Sequence, residues 1–162
     1  MAPQHGDRAV AFSRQLRQAH QELRSRLRAL KAALGHHRPP DDELVPHCLA
    51  FCAAITAHHQ GEDAGMFTEL LRLRPDLAGT IGKLVEDHGM IAWILSRITS
   101  LAADAAGSHG AALDAISGEL DGLAAIVESH FSFEERAIGA ALDGGTPDPD
   151  WSEQVFGFRS TP

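Results

Sequence analysis

Four long stretches of this chain place apolar residues at intervals of three and four, and short runs of Gly, Pro, Asp and Ser separate them. That spacing lines one face of a helix. Helices of roughly 28 to 35 residues joined by such short links must fold back on their neighbours. The pattern therefore predicts an all-α fold: an antiparallel up-down-up-down four-helix bundle over residues 1–142, with a short C-terminal tail, residues 143–162, packed on it and not a separate domain. With 162 residues, 44% of them apolar, a single core suffices without cross-links.

The first helix is expected from about Asp7 to Leu34, with Phe12, Leu16, Leu23, Leu27, Leu30 and Leu34 as its stripe and Gly35 as its stop before Pro39 and Pro40. The second starts between Asp41 and Pro46, because either Asp41 or Asp42 can cap it and Pro46 is tolerated only near the first turn. It ends near Arg74, before Pro75. Phe51, Ile55, Phe67, Leu70 and Leu71 form its inward side, and Gly61 and Gly65 mark places where a helix or ligand can approach closely. The third runs from about Asp76 to Ala105 on Leu77, Ile81, Leu84, Ile91, Leu95 and Ile98. The fourth runs from about Ser108 to Leu142 on Leu113, Ile116, Leu120, Leu123, Val127, Phe131 or Phe133, and Ile138. Beyond the helix-breaking stretch from Gly144 to Pro149, Trp151, Val155, Phe156 and Phe158 are expected against the outside or the end of the bundle.

Ten histidines and no tyrosine make the imidazoles the chain's most distinctive chemical resource. Two helices carry His-x-x-x-Glu followed by a further acid: His58 to Glu62 with Asp63, and His130 to Glu134 with Glu135. Residues four apart share a helical face about 5–6 Å from each other, so each helix can aim an imidazole and a carboxylate at one point. The first and third helices each add an inward histidine, His20 and His88. The halves of the chain thus repeat one scheme, with 38 residues from His20 to His58 and 42 from His88 to His130.

Four imidazoles and two carboxylates converging in a core are costly to bury without a cation to bind. Two metal ions remove that cost, each taking two imidazole nitrogens, with Glu62 and Glu134 bridging and water or hydroxide completing the coordination. The expected ligands are His20, His58, Glu62, His88, His130 and Glu134. Iron is favoured over zinc, whose structural sites need four ligands and usually thiolates; manganese or a mixed centre remains open. Asp63 and Glu135, five residues after their histidines, are the alternative bridging acids, and otherwise outer or surface groups. His59, about 100° round the helix from His58, is either a fifth ligand, an outer hydrogen-bond donor or a solvated or interhelical residue.

This set resembles the hemerythrin-like, HHE cation-binding family, matched by His20, His58-x-x-x-Glu62, His88 and His130-x-x-x-Glu134 over about residues 7–142. The resemblance implies a four-helix bundle with an oxygen-bridged di-iron site that binds dioxygen, peroxide or related ligands; members include carriers, sensors and proteins that handle peroxide or nitric oxide. Oxygen carriers of the family place two histidines four apart on the third helix, whereas Leu84 and Ala92 flank His88 here. The missing imidazole suggests an open position at the iron held by His88 and His130, and with it peroxide or oxygen chemistry more than storage. A non-catalytic oxygen or iron sensor is the alternative.

Other classes lack support. A net charge of −8 with no basic run argues against nucleic acid and anionic membranes. The start, Met-Ala-Pro-Gln-His-Gly-Asp, lacks a signal-peptide pattern and no apolar run reaches the roughly 18 residues of a membrane span, so a cytoplasmic location is expected. There is no Glu-x-x-His for a ferritin-like centre, no Gly-x-Ser-x-Gly and no glycine-rich phosphate loop. Cys48 and Cys52, four apart on one helix, read as small core residues. His5, His36, His37, His47 and His109 read as surface residues, and Glu86, Asp87, Glu119, Asp121 and Glu128 as solvated faces.

Overall fold

A computed structural model describes residues 5–35, 44–105, 111–144 and 150–157. Helix α1 spans His5–Gly35. A second rod is built from α2, Leu44–Gly61, a wide π turn, Glu62–Met66, and α3, Phe67–Leu73. A 3₁₀ turn at Pro75–Leu77 leads into α4, Ala78–Ala105, and α5 covers Ala111–Leu142. The tail adds a short helix, α6, at Ser152–Phe156. No strand occurs among the described residues, and no described helix is long and apolar enough to cross a membrane.

The expected boundaries shift in instructive places. Pro46 falls in the first turn of α2, where its missing N–H costs no hydrogen bond. Arg74 leaves the helical region at φ −135° because the following proline disfavours it there, so Pro75 starts a tight turn and α4 begins at Ala78, not Asp76. The capping residues Asp41 and Asp42, the histidines His36, His37 and His109, the start at Ser108, and Phe158 lie outside the described residues.

Around the bundle α1 packs on α2 and α5, and α4 on α2 and α5. The α1–α5 pair is antiparallel: Ser13 pairs with Asp143, Arg24 with Glu128 and Lys31 with Asp121, so the partner number falls as the α1 number rises. The stripes turn inward as their spacing demands, and Leu16, Leu23, Ile55, Leu84, Ile91, Ile98, Leu120, Leu123 and Ile138 are essentially buried. Each such side chain contributes roughly 1.5–3 kcal/mol through removal from water.

The core is divided in two. One apolar cluster gathers Leu27, Phe51, Ile55, Ile91, Ile98, Leu120 and Val127, together with Cys48 and Cys52, which are free thiols. The other gathers Phe12, Leu16, Met66, Phe67, Leu70, Leu84, Ile138 and Val155. On every long helix the polar residues of interest fall between the two: His20 between Leu16 and Leu23, His58 to Glu62 between Ile55 and Met66, His88 between Leu84 and Ile91, and His130 and Glu134 between Val127 and Ile138.

The tail closes the second cluster. Val155 is fully buried, and the Phe12 ring lies 6.0 Å from Trp151 and 5.9 Å from Phe156. Gly61 and Gly65 are the points of close approach: a Cβ on Gly65 would lie 2.3 Å from the Trp151 Cβ, and one on Gly61 3.0 Å from the Gln154 Cγ and a Val155 methyl. The expected visitor at these glycines is therefore α6.

Candidate metal centre

The layer between the two clusters contains His20, His58, Glu62, His88, His130 and Glu134, with relative exposures from 0 to 5%. All six predicted residues meet there. The i,i+4 spacing works on both helices: the His58 Nε2 lies 2.7 Å from Glu62 Oε1, and the His130 Nε2 3.3 Å from Glu134 Oε2. Each carboxylate also faces histidines of other helices. Glu62 Oε2 is 3.1 Å from the His88 Nε2 and its Oε1 4.0 Å from the His20 Nε2. Glu134 Oε2 is 3.7 Å from the His20 Nε2.

A seventh residue belongs to the layer. His59 is buried, its ring stacked on His88 at 3.9 Å and edge-on to His130 at 5.3 Å. Of the readings of His59, the solvated one fails and the interhelical one holds: α2 places this fifth imidazole beside His88 of α4 and His130 of α5. Donor atoms within 4.8 Å of one another form two groups, His20–His58–Glu62 and His59–Glu62–His88–His130, with Glu62 common to both. Glu134 falls in neither group, yet its Oε2 lies between His20 and His130.

The outer faces of the rings explain their orientation. The His58 Nδ1 donates to the Val155 carbonyl at 2.8 Å, the His20 Nδ1 to Glu135 at 3.0 Å, the His88 Nδ1 to Asp63 at 2.7 Å and the His130 Nδ1 to Asp87 at 3.2 Å. A carboxylate or carbonyl only accepts, so each ring keeps a proton on Nδ1 and turns Nε2 to the centre. Asp63 and Glu135 thus stand outside the layer. Asp87 is an orienting acid and not merely part of a solvated face. The His20 ring is further fixed by stacking on Phe131, 3.9 Å away and 3° from parallel.

The π turn begins at Glu62, not between His58 and Glu62. Its Phe67 N–H bonds to the Glu62 carbonyl, five residues back, so Phe67 rises above Glu62, with its ring near-parallel to His88 at 5.6 Å. A regular helix would put Met66 there.

The electrostatics show what the layer lacks. Burial pushes the Glu134 carboxyl up to about 7, and the nearby Glu62 charge adds to that. Burial also works against ionised Glu62, but His58 and the other imidazoles outweigh it and hold Glu62 well below its ordinary value. Burial lowers His20 to about 4 and depresses His59 strongly. For His88 burial is outweighed by Asp63 and Glu62, which raise it to about 9, and His58 is raised by Glu62 in the same way. Without a cation the layer must borrow protons.

The residues fit a metal on two observations. Buried Nε2 atoms of His20 and His59 and both oxygens of Glu62 and Glu134 lack well-formed hydrogen bonds. The Nε2 atoms of His88 and His130 face each other at 3.1 Å, and the His88 Nε2 also lies 3.1 Å from Glu62 Oε2, so these donors converge on one point. Two imidazoles bound at right angles to one ion, about 2.0–2.1 Å each, have nitrogens roughly 3 Å apart.

The hemerythrin HHE cation-binding domain matches residues 11–142, which contain every one of these side chains apart from the Val155 carbonyl. No curated protein matches the chain significantly, and neither does any solved structure. With a matched span covering all four long helices and a buried histidine–glutamate layer at its middle, the chain is a metal-binding member of the hemerythrin HHE cation-binding family.

Proposed function

We propose that the protein holds two non-haem iron ions and uses them in redox chemistry with dioxygen, peroxide or nitric oxide. The observation that carries this reading is the pair of donor groups sharing Glu62, buried between two apolar clusters. His20, His58 and Glu62 would hold one ion and His59, His88, His130 and Glu62 the other, with Glu134 placed to serve both. Seven nitrogen and oxygen donors with no thiolate suit iron better than structural zinc. Manganese in one or both places is compatible with the same donors.

Bound iron would supply a ferrous–ferric couple and an acceptor position for the small molecule. The chain's residues do the rest. His20 and His58 offer fewer imidazoles than the opposite group, which moves the expected open position to their side. Phe131, Leu16, Leu84 and Ile138 keep bulk water out. The outer acids Asp63, Asp87 and Glu135 raise the basicity of their histidines and so favour the higher charge state of a bound metal. A layer so completely enclosed suits a diatomic molecule or peroxide, with neither nucleic acid nor membrane as partner.

The test is to load the protein aerobically with iron(II), count iron per chain, and record the optical spectrum with and without azide and hydrogen peroxide. About two irons per chain and oxo-bridged ferric bands that shift with azide are expected. Fewer than about one iron per chain and no such bands would sink the reading. Peroxide consumption that disappears in Glu62→Ala distinguishes an enzyme from a binding module.

A further inference from the structure

Residues 150–157 lie beyond the span matched by the family, 11–142, and yet reach the metal centre. Three of the oriented histidines draw their outer partner from the bundle itself, namely Asp63, Asp87 and Glu135. His58 alone draws its partner from the tail. The Val155 carbonyl is free to accept because it sits in the last turn of α6, where carbonyls have no partner within the helix.

The seat for this contact is built on both sides. Gly65 leaves the space that the Trp151 side chain fills, and Gly61 leaves that of Gln154 and Val155. The Trp151 Nε1 donates to Glu69 at 2.8 Å, which fixes the start of α6 on the α2–α3 rod. Val155 is fully buried in the apolar cluster that closes one side of the polar layer.

We propose that the tail is a working part of the metal centre: docking of α6 positions His58 through the Val155 carbonyl, so that tail docking and metal binding strengthen each other. The proposal rests on His58 holding metal, as in the preceding reading, but not on the metal being iron or redox-active. A docked tail holds the His58 proton on Nδ1 and leaves Nε2 for the ion. A released tail lets the ring turn and exchange tautomers. By linkage, a metal that binds the docked form more tightly also holds the tail down by the same factor.

Trp93→Phe, at an exposed position, leaves Trp151 as the sole tryptophan and serves as the parent chain. Cobalt(II) is the probe, because its visible bands report ligation without redox turnover, and its affinity is read by chelator competition. In the parent, cobalt should protect Trp151 from acrylamide quenching. Gly65→Ala, which fills the tryptophan's space and favours helix in its own rod, should expose Trp151 and weaken cobalt binding roughly 10- to 100-fold with helical content unchanged. A chain ending at residue 149 should show the same loss. If that truncation loses helical content, Gly65→Ala decides; if Trp151 stays protected in Gly65→Ala, the truncation decides. A folded, tail-released variant that binds cobalt within about two-fold of the parent overturns the proposal. A parent that binds neither cobalt nor iron(II) removes the metal centre and the coupling together. A parent that binds metal but shows no ferric bands defeats only the redox reading.

Discussion

On one side of the polar layer His20 and His58 are shut away completely; on the other, His59 and His88 keep 5% of their surface exposed and His130 keeps 2%. The first side offers two imidazoles, one stacked on Phe131 and bonded to the acid Glu135, the other tied to a neutral carbonyl. The second offers three imidazoles and the acids Asp63 and Asp87. His20 and His88 occupy equivalent places in the repeated scheme, yet burial takes His20 down to about 4 despite Glu135, while for the less buried His88 the nearby Asp63 and Glu62 outweigh burial and lift it to about 9. Equal residue types at equal spacing therefore do not make equal sites: both rings have a carboxylate behind Nδ1, but His20 is the more deeply buried and stands 4.0 Å from Glu62, against 3.1 Å for His88.

The largest effect is expected from Glu62→Ala, which removes the carboxylate facing His58 at 2.7 Å and His88 at 3.1 Å. Metal content should fall on both sides, from about two ions to fewer than one per chain, as metal analysis would show. If one tight ion survives, the carboxylate is not shared. His59→Leu should instead act on one side, leaving a single tight ion at His20–His58; a titration that still fills two tight sites would return His59 to a packing role.

Smaller and sharper are Asp87→Asn and Glu135→Gln, each expected to lower affinity roughly 10- to 100-fold for the ion on its own side only. Stepwise cobalt titration separates the two. An equal loss on both sides would mean that the halves act as one unit.

The pH response of the metal-free protein divides along the same line. His20, depressed when folded, contributes stability that is present above about 6.5 and lost as pH falls towards 4. His88, raised when folded, contributes stability that is present below about 6.5 and lost as pH rises through 9. Denaturant melts should therefore weaken at both ends, with His20→Asn blunting the acid loss and His88→Asn the alkaline one. Metal loading at pH 7 should release protons, from His88 and in part from Glu134, and be read with a pH indicator. The smallest effect is expected from Lys31→Ala, which removes only the Asp121 pair at the surface and should change stability by under about 1 kcal/mol without altering either site.

The bundle was legible because its stripes are periodic and uninterrupted: Leu16, Leu23 and Leu27 or Ile91, Leu95 and Ile98 have one face to bury and do so. The histidine–glutamate pairs were legible because four residues is a fixed distance on a helix. His59 was not, since adjacent residues on a helix point about 100° apart and spacing alone sends only one of them inward. Asp87 looked like a solvated acid because its partner, His130, lies 43 residues away on another helix. The π turn left no compositional mark. Gly61 and Gly65 announced a close approach, but the Val155 carbonyl is a backbone group, and no residue type records its use.

The central claim is that one buried layer holds two metal ions on unequal sides. It is tested most directly by a crystal structure of the iron-loaded protein with anomalous difference maps at the iron edge. Two peaks are expected between the apolar clusters, one beside His20 and His58 and the other beside His59, His88 and His130, with Glu62 reaching both. A single peak, or none in that layer at full loading, would contradict the account.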